Sequence, residues 1–158
     1  FLSYGLDFGF TNDPSALVAC YQWGDNLYFQ EVLYSTNLTN QDLSQMFAKF
    51  EVGRYDEIFA DSSEPKSIEE LHRMGFNVKP TAKGADSVNA GIDMLKRYKL
   101  HVNGSNLVKE MENYKWLEDK NGNLLNKPED KYNHAIDALR YGVWNKLSKP
   151  NYGRYTIR

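Results

Sequence analysis

The chain has 158 residues, 41% hydrophobic, 14% aromatic and 25% charged, enough for one domain with a buried core and too apolar for a disordered polymer. A formal net charge of −2 excludes the overall basic field that drives tight, unspecific nucleic-acid binding, so any hold on a polyanion must come from local patches, a partner or a further part of the protein. The single cysteine, Cys20, excludes an intrachain disulfide and a cysteine-rich zinc site, and fits a reducing compartment.

The first residues, FLSYGLDFGF, lack the basic flank of a signal peptide, and no run in the chain approaches the length of a membrane span. They read as a first strand that starts abruptly, as in a chain cut from something longer. Residues 2–10, 16–23 and 27–35 are strand-like runs rich in aromatic and β-branched residues, separated by the turn clusters Thr11-Asn12-Asp13-Pro14-Ser15 and Gly24-Asp25-Asn26. Links this short favour an antiparallel meander. Over residues 40–50, Leu43, Met46, Phe47 and Phe50 fall at helical spacing. A short strand, Ile58-Phe59-Ala60, precedes a helix from Pro65 to Met74 that Gly75 ends. Residues 76–80 read as a strand, 86–98 as a helix with Val88, Ile92 and Leu95 on one face, 100–102 as a strand and 105–114 as a helix. Residues 115–127 form a hairpin around Asn121-Gly122, and the last helix covers about 132–147. A tail follows over 148–158, leaving 1–147 as the domain. A meander followed by alternating helix and strand predicts an α/β domain around one mixed sheet, the crossover helix at 40–50 setting the fourth strand parallel to the first.

Three acids stand out. Alternation puts Ser3, Gly5, Asp7 and Gly9 on one face of the first strand, so Asp7 is flanked there by glycines, with room above it for a cation or a phosphate. A solvated strand face explains it equally, although Asp is depleted in strands. Asp61 follows the strand Ile58-Phe59-Ala60, at the carboxyl edge where α/β sheets place their sites. The bland reading there is a helix start, with Ser62 or Ser63 as N-cap and Pro65 in the first turn. In the last helix His134 and Asp137 share a face, away from the stripe Ile136, Leu139, Val143 and Leu147. For that pair alone a solvated polar face is the better explanation, and two such ligands are weak grounds for zinc. Taken together, hard oxygen donors from separate elements suit magnesium or manganese. Two such cations about 3.5–4 Å apart would serve phosphodiester hydrolysis.

These residues resemble a known family. Asp7 in Gly-Leu-Asp-Phe-Gly, then Ala60-Asp61-Ser62-Ser63-Glu64-Pro65-Lys66, then Asn133-His134-Ala135-Ile136-Asp137-Ala138-Leu139-Arg140-Tyr141 are similar to the nuclease domain of phage terminase large subunits. So are Lys83-Gly84-Ala85-Asp86-Ser87-Val88 with Gly91-Ile92, and the hairpin leading to Pro128-Glu129-Asp130. The resemblance implies a ribonuclease H-like fold: a three-stranded antiparallel meander plus parallel strands in one mixed sheet, flanked by helices. It implies an endonuclease that cuts concatemeric viral DNA during genome packaging, in the host cell cytoplasm. Asp7, Asp61 and Asp137 would ligate Mg2+ or Mn2+ in a two-metal site, with His134 beside them. The partners implied are double-stranded DNA, an N-terminal packaging ATPase domain, the small terminase subunit and the portal, with no membrane. The chain has no G-x-x-x-x-G-K-[ST] loop, so the ATPase lies outside it.

Other readings stay open. Asp7-Phe8-Gly9-Phe10-Thr11-Asn12 also resembles the first phosphate loop of actin-like and heat-shock-chaperone ATPases, but those need two lobes and this chain is too short. A Holliday-junction resolvase or transposase core would use the same acids on another DNA target. A docking module with a dead site would not need three acids in place. Lys79, Lys83 and Lys120 are candidate DNA contacts, and Lys96 and Arg97 extend the basic edge. The hairpin, with Lys115, Lys120 and Lys127, reads as a guide to the site as much as an ordinary surface hairpin.

Overall fold

The computed structural model describes residues 1–82, 87–114, 116–118, 124–128 and 133–148, with the backbone alone for 116–118 and 124–128. The elements are β1 (Ser3–Asp7), β2 (Ser15–Trp23), β3 (Asn26–Ser35), α1 (Asn40–Lys49), β4 (Ile58–Ala60), α2 (Pro65–Arg73), β5 (Val78–Pro80), α3 (Ser87–Leu95), β6 (Lys99–Asn103), α4 (Ser105–Asn113), β7 (Trp116–Glu118), β8 (Leu124–Pro128) and α5 (His134–Leu147). Six strands form one sheet in the order β5-β4-β1-β2-β3-β6. The meander β1–β2–β3 is antiparallel, and β4, β5 and β6 are added parallel to their neighbours. The expected mixed sheet is present, with β4 parallel to β1 as the crossover through α1 requires.

Helices cover both faces. On one side Leu43 and Phe47 of α1 and Ile68 and Leu71 of α2 pack with Leu6, Leu17, Leu33, Ile58 and Ala60. On the other, Ala16, Val18, Cys20, Leu27 and Phe29 meet Met94, Leu95 and Leu107, together with Ala135, Ala138, Leu139 and Val143 of α5. The register between β2 and β3 steps from Leu17↔Leu33 to Val18↔Glu31, which leaves Val32 as an extra residue on β3. A one-residue bulge reverses the facing of every later side chain. Hence Leu27 and Phe29 face α5, Leu33 faces α1 and α2, and Tyr34 returns to the α5 side.

Local chemistry explains most boundaries. Thr39 and Asp42 close a reciprocal capping box at the start of α1, and Gly75, at φ +101°, turns the chain after α2. Several expectations need correction. β1 ends at Asp7 rather than at residue 10, because the Gly9 N–H donates to Ser15 Oγ and so belongs to the turn. Neither Ser62 nor Ser63 caps α2; Glu64 holds the N-cap position, and its side chain makes no cap bond. β5 is only Val78–Pro80, and α3 ends at Leu95 and buries Gly91 and Met94 rather than Val88. The expected hairpin is present as β7 paired antiparallel with β8. Its turn Asn121-Gly122, with Lys115, Lys120, Glu129 and Asp130, lies outside the described residues, as do residues 83–86 and 149–158.

Candidate metal centre

Asp7 is the last residue of β1, and Asp61 directly follows β4. The two strands are parallel with Leu6 opposite Ala60, so both acids lie at the same carboxyl edge of the sheet. α5 delivers the third acid by crossing β1 at very short range. A Cβ on Gly5 would stand 1.7 Å from the Ala138 carbonyl oxygen, and one on Gly142 would stand 2.7 Å from Cys20 Sγ and 3.0 Å from the Gly5 nitrogen. Ser3 Oγ donates to the Gly142 carbonyl and locks the crossing. The open space expected above Gly5 is therefore filled by helix, and only the Asp7 end of that face remains for chemistry. The same contact overturns the solvated polar face expected for α5, in which Ala135, Ala138, Arg140, Tyr141 and Gly142 are buried along with Ile136, Leu139 and Val143 of the apolar stripe.

Each acid has a donor on it. His134 Nδ1 lies 3.3 Å from Asp7 Oδ2, and its Nε2 is 3.5 Å from Asp13 Oδ1. Arg140 Nη2 donates to Asp137 Oδ1 at 3.1 Å. Tyr141 OH donates to Asp61 Oδ2 at 3.3 Å, and Asp61 Oδ1 accepts the Ser63 N–H at 2.9 Å, closing the turn before α2.

Burial pushes the Asp7 carboxyl up to about 6; the His134 hydrogen bond opposes this, and the Asp137 and Asp61 charges reinforce it. Asp137 is also raised, first by burial, with Arg140 acting against the shift. His134 is raised, chiefly by its bond to Asp7. The Tyr141 phenol lies far above its ordinary range, first through burial and then through the charges of Asp137, Asp7 and Asp61. The acids thus repel one another at one edge of the sheet.

Among the described residues, no group of three or more His, Cys, Asp or Glu side chains is arranged to hold an ion in these side-chain positions. The donor set nevertheless fits a hard cation. It is rich in carboxylate oxygen, and burial, reinforced by the Asp137 and Asp61 charges, leaves the Asp7 carboxylate in want of a countercharge.

Sequence reading missed four neighbours. Arg140 and Tyr141 were visible inside the last motif but not as partners of Asp137 and Asp61. Asp13 belongs to an exposed turn with no pattern to mark it. Glu110 accepts the Ala135 and Ile136 N–H groups from inside the core; its signal was a charge three residues after Leu107 on the apolar side of α4. Of the candidate DNA contacts, Lys79 is ion-paired with Glu57 at 3.1 Å, while Lys83 and Lys120 lie outside the described residues. Lys96 stands 3.9 Å from Asp93.

Residues 7–144 match the family model of the terminase RNase H-like domain. Over 155 residues the chain is 34% identical to the large terminase subunit of Bacillus phage SPP1, covering 92% of this chain and 36% of that protein. It is 29% identical over 147 residues to the PBSX phage terminase large subunit of Bacillus subtilis (strain 168), covering 88% of this chain and 33% of that protein. It therefore spans about a third of the length of these relatives. The crystal structure of the SPP1 large terminase nuclease domain, with bound Mn, superposes with a TM-score of 0.83 at 31% identity, covering 92% of this chain and 86% of that one. The chain belongs to the terminase RNase H-like domain family, and its fold is that of the large-terminase nuclease domains.

Proposed function

We propose that this chain is a metal-dependent endodeoxyribonuclease that cuts concatemeric viral DNA during genome packaging, by hydrolysis of the phosphodiester bond. Asp7, Asp61 and Asp137 hold two Mg2+ or Mn2+ ions, and His134 assists beside Asp7. The single observation that carries this reading is geometric: parallel β1 and β4 place Asp7 and Asp61 at one edge of the sheet, and α5, which bears Asp137, reaches both through His134 and Tyr141. The bound Mn of the SPP1 nuclease domain supports the choice of metal. When bound, such a pair of cations supplies an activated water and stabilises the leaving oxygen.

The protein's own part is to hold and prepare. β1 and β4 fix two carboxylates on a rigid sheet, and α5 sets the third and His134 over them. Arg140 favours the charged Asp137 carboxylate and orients it, and Tyr141 orients Asp61 through one donated hydrogen bond. The protein acts on double-stranded DNA in the host cell cytoplasm, joined to an N-terminal packaging ATPase and working with the small terminase subunit and the portal. Domain limits of 1–147, with a tail over 148–158, belong to the same proposal.

Incubation of supercoiled plasmid with the chain in magnesium, manganese or a chelator tests this. Nicking is expected with either cation and none with the chelator. Asp7→Ala, Asp61→Ala and Asp137→Ala should each abolish it in a folded protein. Full cleavage by any one of them removes that residue from the site, and cleavage in chelator removes the metal.

A further inference from the structure

At the start of α5 the Asn133 carbonyl accepts the Asp137 N–H, but its side chain makes no cap hydrogen bond. The first turn is held instead by a residue from another helix. The Ala135 N–H donates to both carboxylate oxygens of Glu110, at 2.9 and 3.1 Å, and the Ile136 N–H donates to Oε1 at 3.0 Å. Glu110 lies on α4 and is 2% exposed. Its Oε2 also accepts the Tyr34 hydroxyl at 2.7 Å, and Tyr34 faces this way only because of the bulge at Val32 on β3.

A buried carboxylate is costly unless donors fill it, and here two backbone amides and a phenol do so. For stability alone, a Ser, Thr or Asp at position 133 would satisfy the same amides locally. A carboxylate from α4, itself steadied from the sheet, ties the position of the turn to the sheet. The tethers at the far end of α5 cannot do this for the first turn. They join Ser3 to Gly142 and the Ala82 N–H to Asn145, two to three turns further on. The turn that Glu110 holds is the one carrying His134 and Asp137.

We infer that Glu110, steadied by Tyr34, is a positioning residue that fixes the first turn of α5 and so sets His134 and Asp137 against Asp7. The inference rests on the metal reading of that site. Glu110→Gln turns one acceptor into an NH2 group facing other donors, whereas Tyr34→Phe removes only the donor that steadies the carboxylate. Asn145→Ala loosens the opposite end of α5 and serves as a control for stability.

Mn2+ titration calorimetry, thermal melting and amide hydrogen exchange over residues 134–138 separate the possibilities. Glu110→Gln should weaken Mn2+ binding by about ten- to a hundred-fold and speed exchange at Ala135 and Ile136. Tyr34→Phe should act in the same direction but less. Asn145→Ala should leave Mn2+ affinity unchanged even where its melting temperature falls as far. Unchanged Mn2+ affinity in both Glu110→Gln and Tyr34→Phe overturns the inference, as does an equal loss in Asn145→Ala. A wild-type protein that binds no Mn2+ overturns the metal reading itself, and the inference with it.

Discussion

Asp7 carries its charge against its surroundings. Burial is the largest cause, the His134 hydrogen bond opposes it, and Asp137 and Asp61 add to it, giving a carboxyl near 6 against an ordinary 3.8. The folded state therefore holds this proton more tightly than the unfolded state. Stability falls as pH rises from about 4 to about 6, and the full penalty, roughly 3 kcal/mol, applies above that window. Asp7→Asn should remove it: in chelator at about pH 7.5 the variant should resist urea better by about 1–3 kcal/mol, the gain vanishing near pH 4. A gain independent of pH, or no gain, contradicts this account. His134 behaves oppositely, because its raised value makes its bond to Asp7 stabilising below its ordinary 6.5 and lost as pH rises through the folded value. If it assists without holding the metals together, His134→Ala should slow plasmid nicking in magnesium without abolishing it, with partial rescue by manganese. Wild-type rates would make it structural. These four residues were legible because each sits in a short motif at a strand end or on one helix face. Glu110 and Arg140 were not, since what buries them is a partner element far away in sequence.

At the scale of elements, the contact between β1 and α5 builds the site, and two glycines permit it. Gly5 and the Ala138 carbonyl are both backbone, so a methyl group 1.7 Å away cannot be relieved by a rotamer change. Gly5→Ala must push α5 off β1. Overpacking of this kind costs about 1–3 kcal/mol and sometimes more, and here it also separates Asp7 from His134 and Asp137. A lower melting temperature together with weakened Mn2+ binding is expected, and a wild-type melting curve would show that the two backbones can part freely. The antiparallel meander and the parallel pairing of β1 with β4 were readable from link lengths, whereas the places of β5 and β6 at the two edges were not. The burial of the second face of α5 was not, because Ala138 and Gly142 bury that face by being small, whereas apolar periodicity registers large side chains. The bulge at Val32 left no mark in the alternation either, although it decides that Tyr34 reaches Glu110.

For the molecule as a whole, charge decides how DNA is held. With 19 basic and 21 acidic residues, the chain has no general attraction for a phosphate backbone, and its described cations are partly spoken for. Glu57 binds both Lys79 and Lys146, and their bonds hold its carboxyl below the ordinary range. That cluster carries a net single positive charge. An ammonium has three donors, so Lys79 keeps capacity for a phosphate while paired. Lys79 lies on β5 opposite Phe59 of β4, and its ammonium reaches Glu57 just before that strand, whereas Asp61 follows the strand's end. The isolated chain should accordingly bind duplex DNA weakly and with little sequence preference, and lose affinity between about 50 and 200 mM salt. Lys79→Ala should make the dependence of log affinity on log salt shallower by about one, uniformly across sequences, and Glu57→Gln should steepen it. Fluorescence anisotropy of labelled duplexes in chelator, where no cleavage is expected, reads all three slopes. Identical slopes would remove Lys79 from the DNA path, and tight sequence-specific binding at physiological salt would mean that recognition rests on base contacts rather than on phosphates.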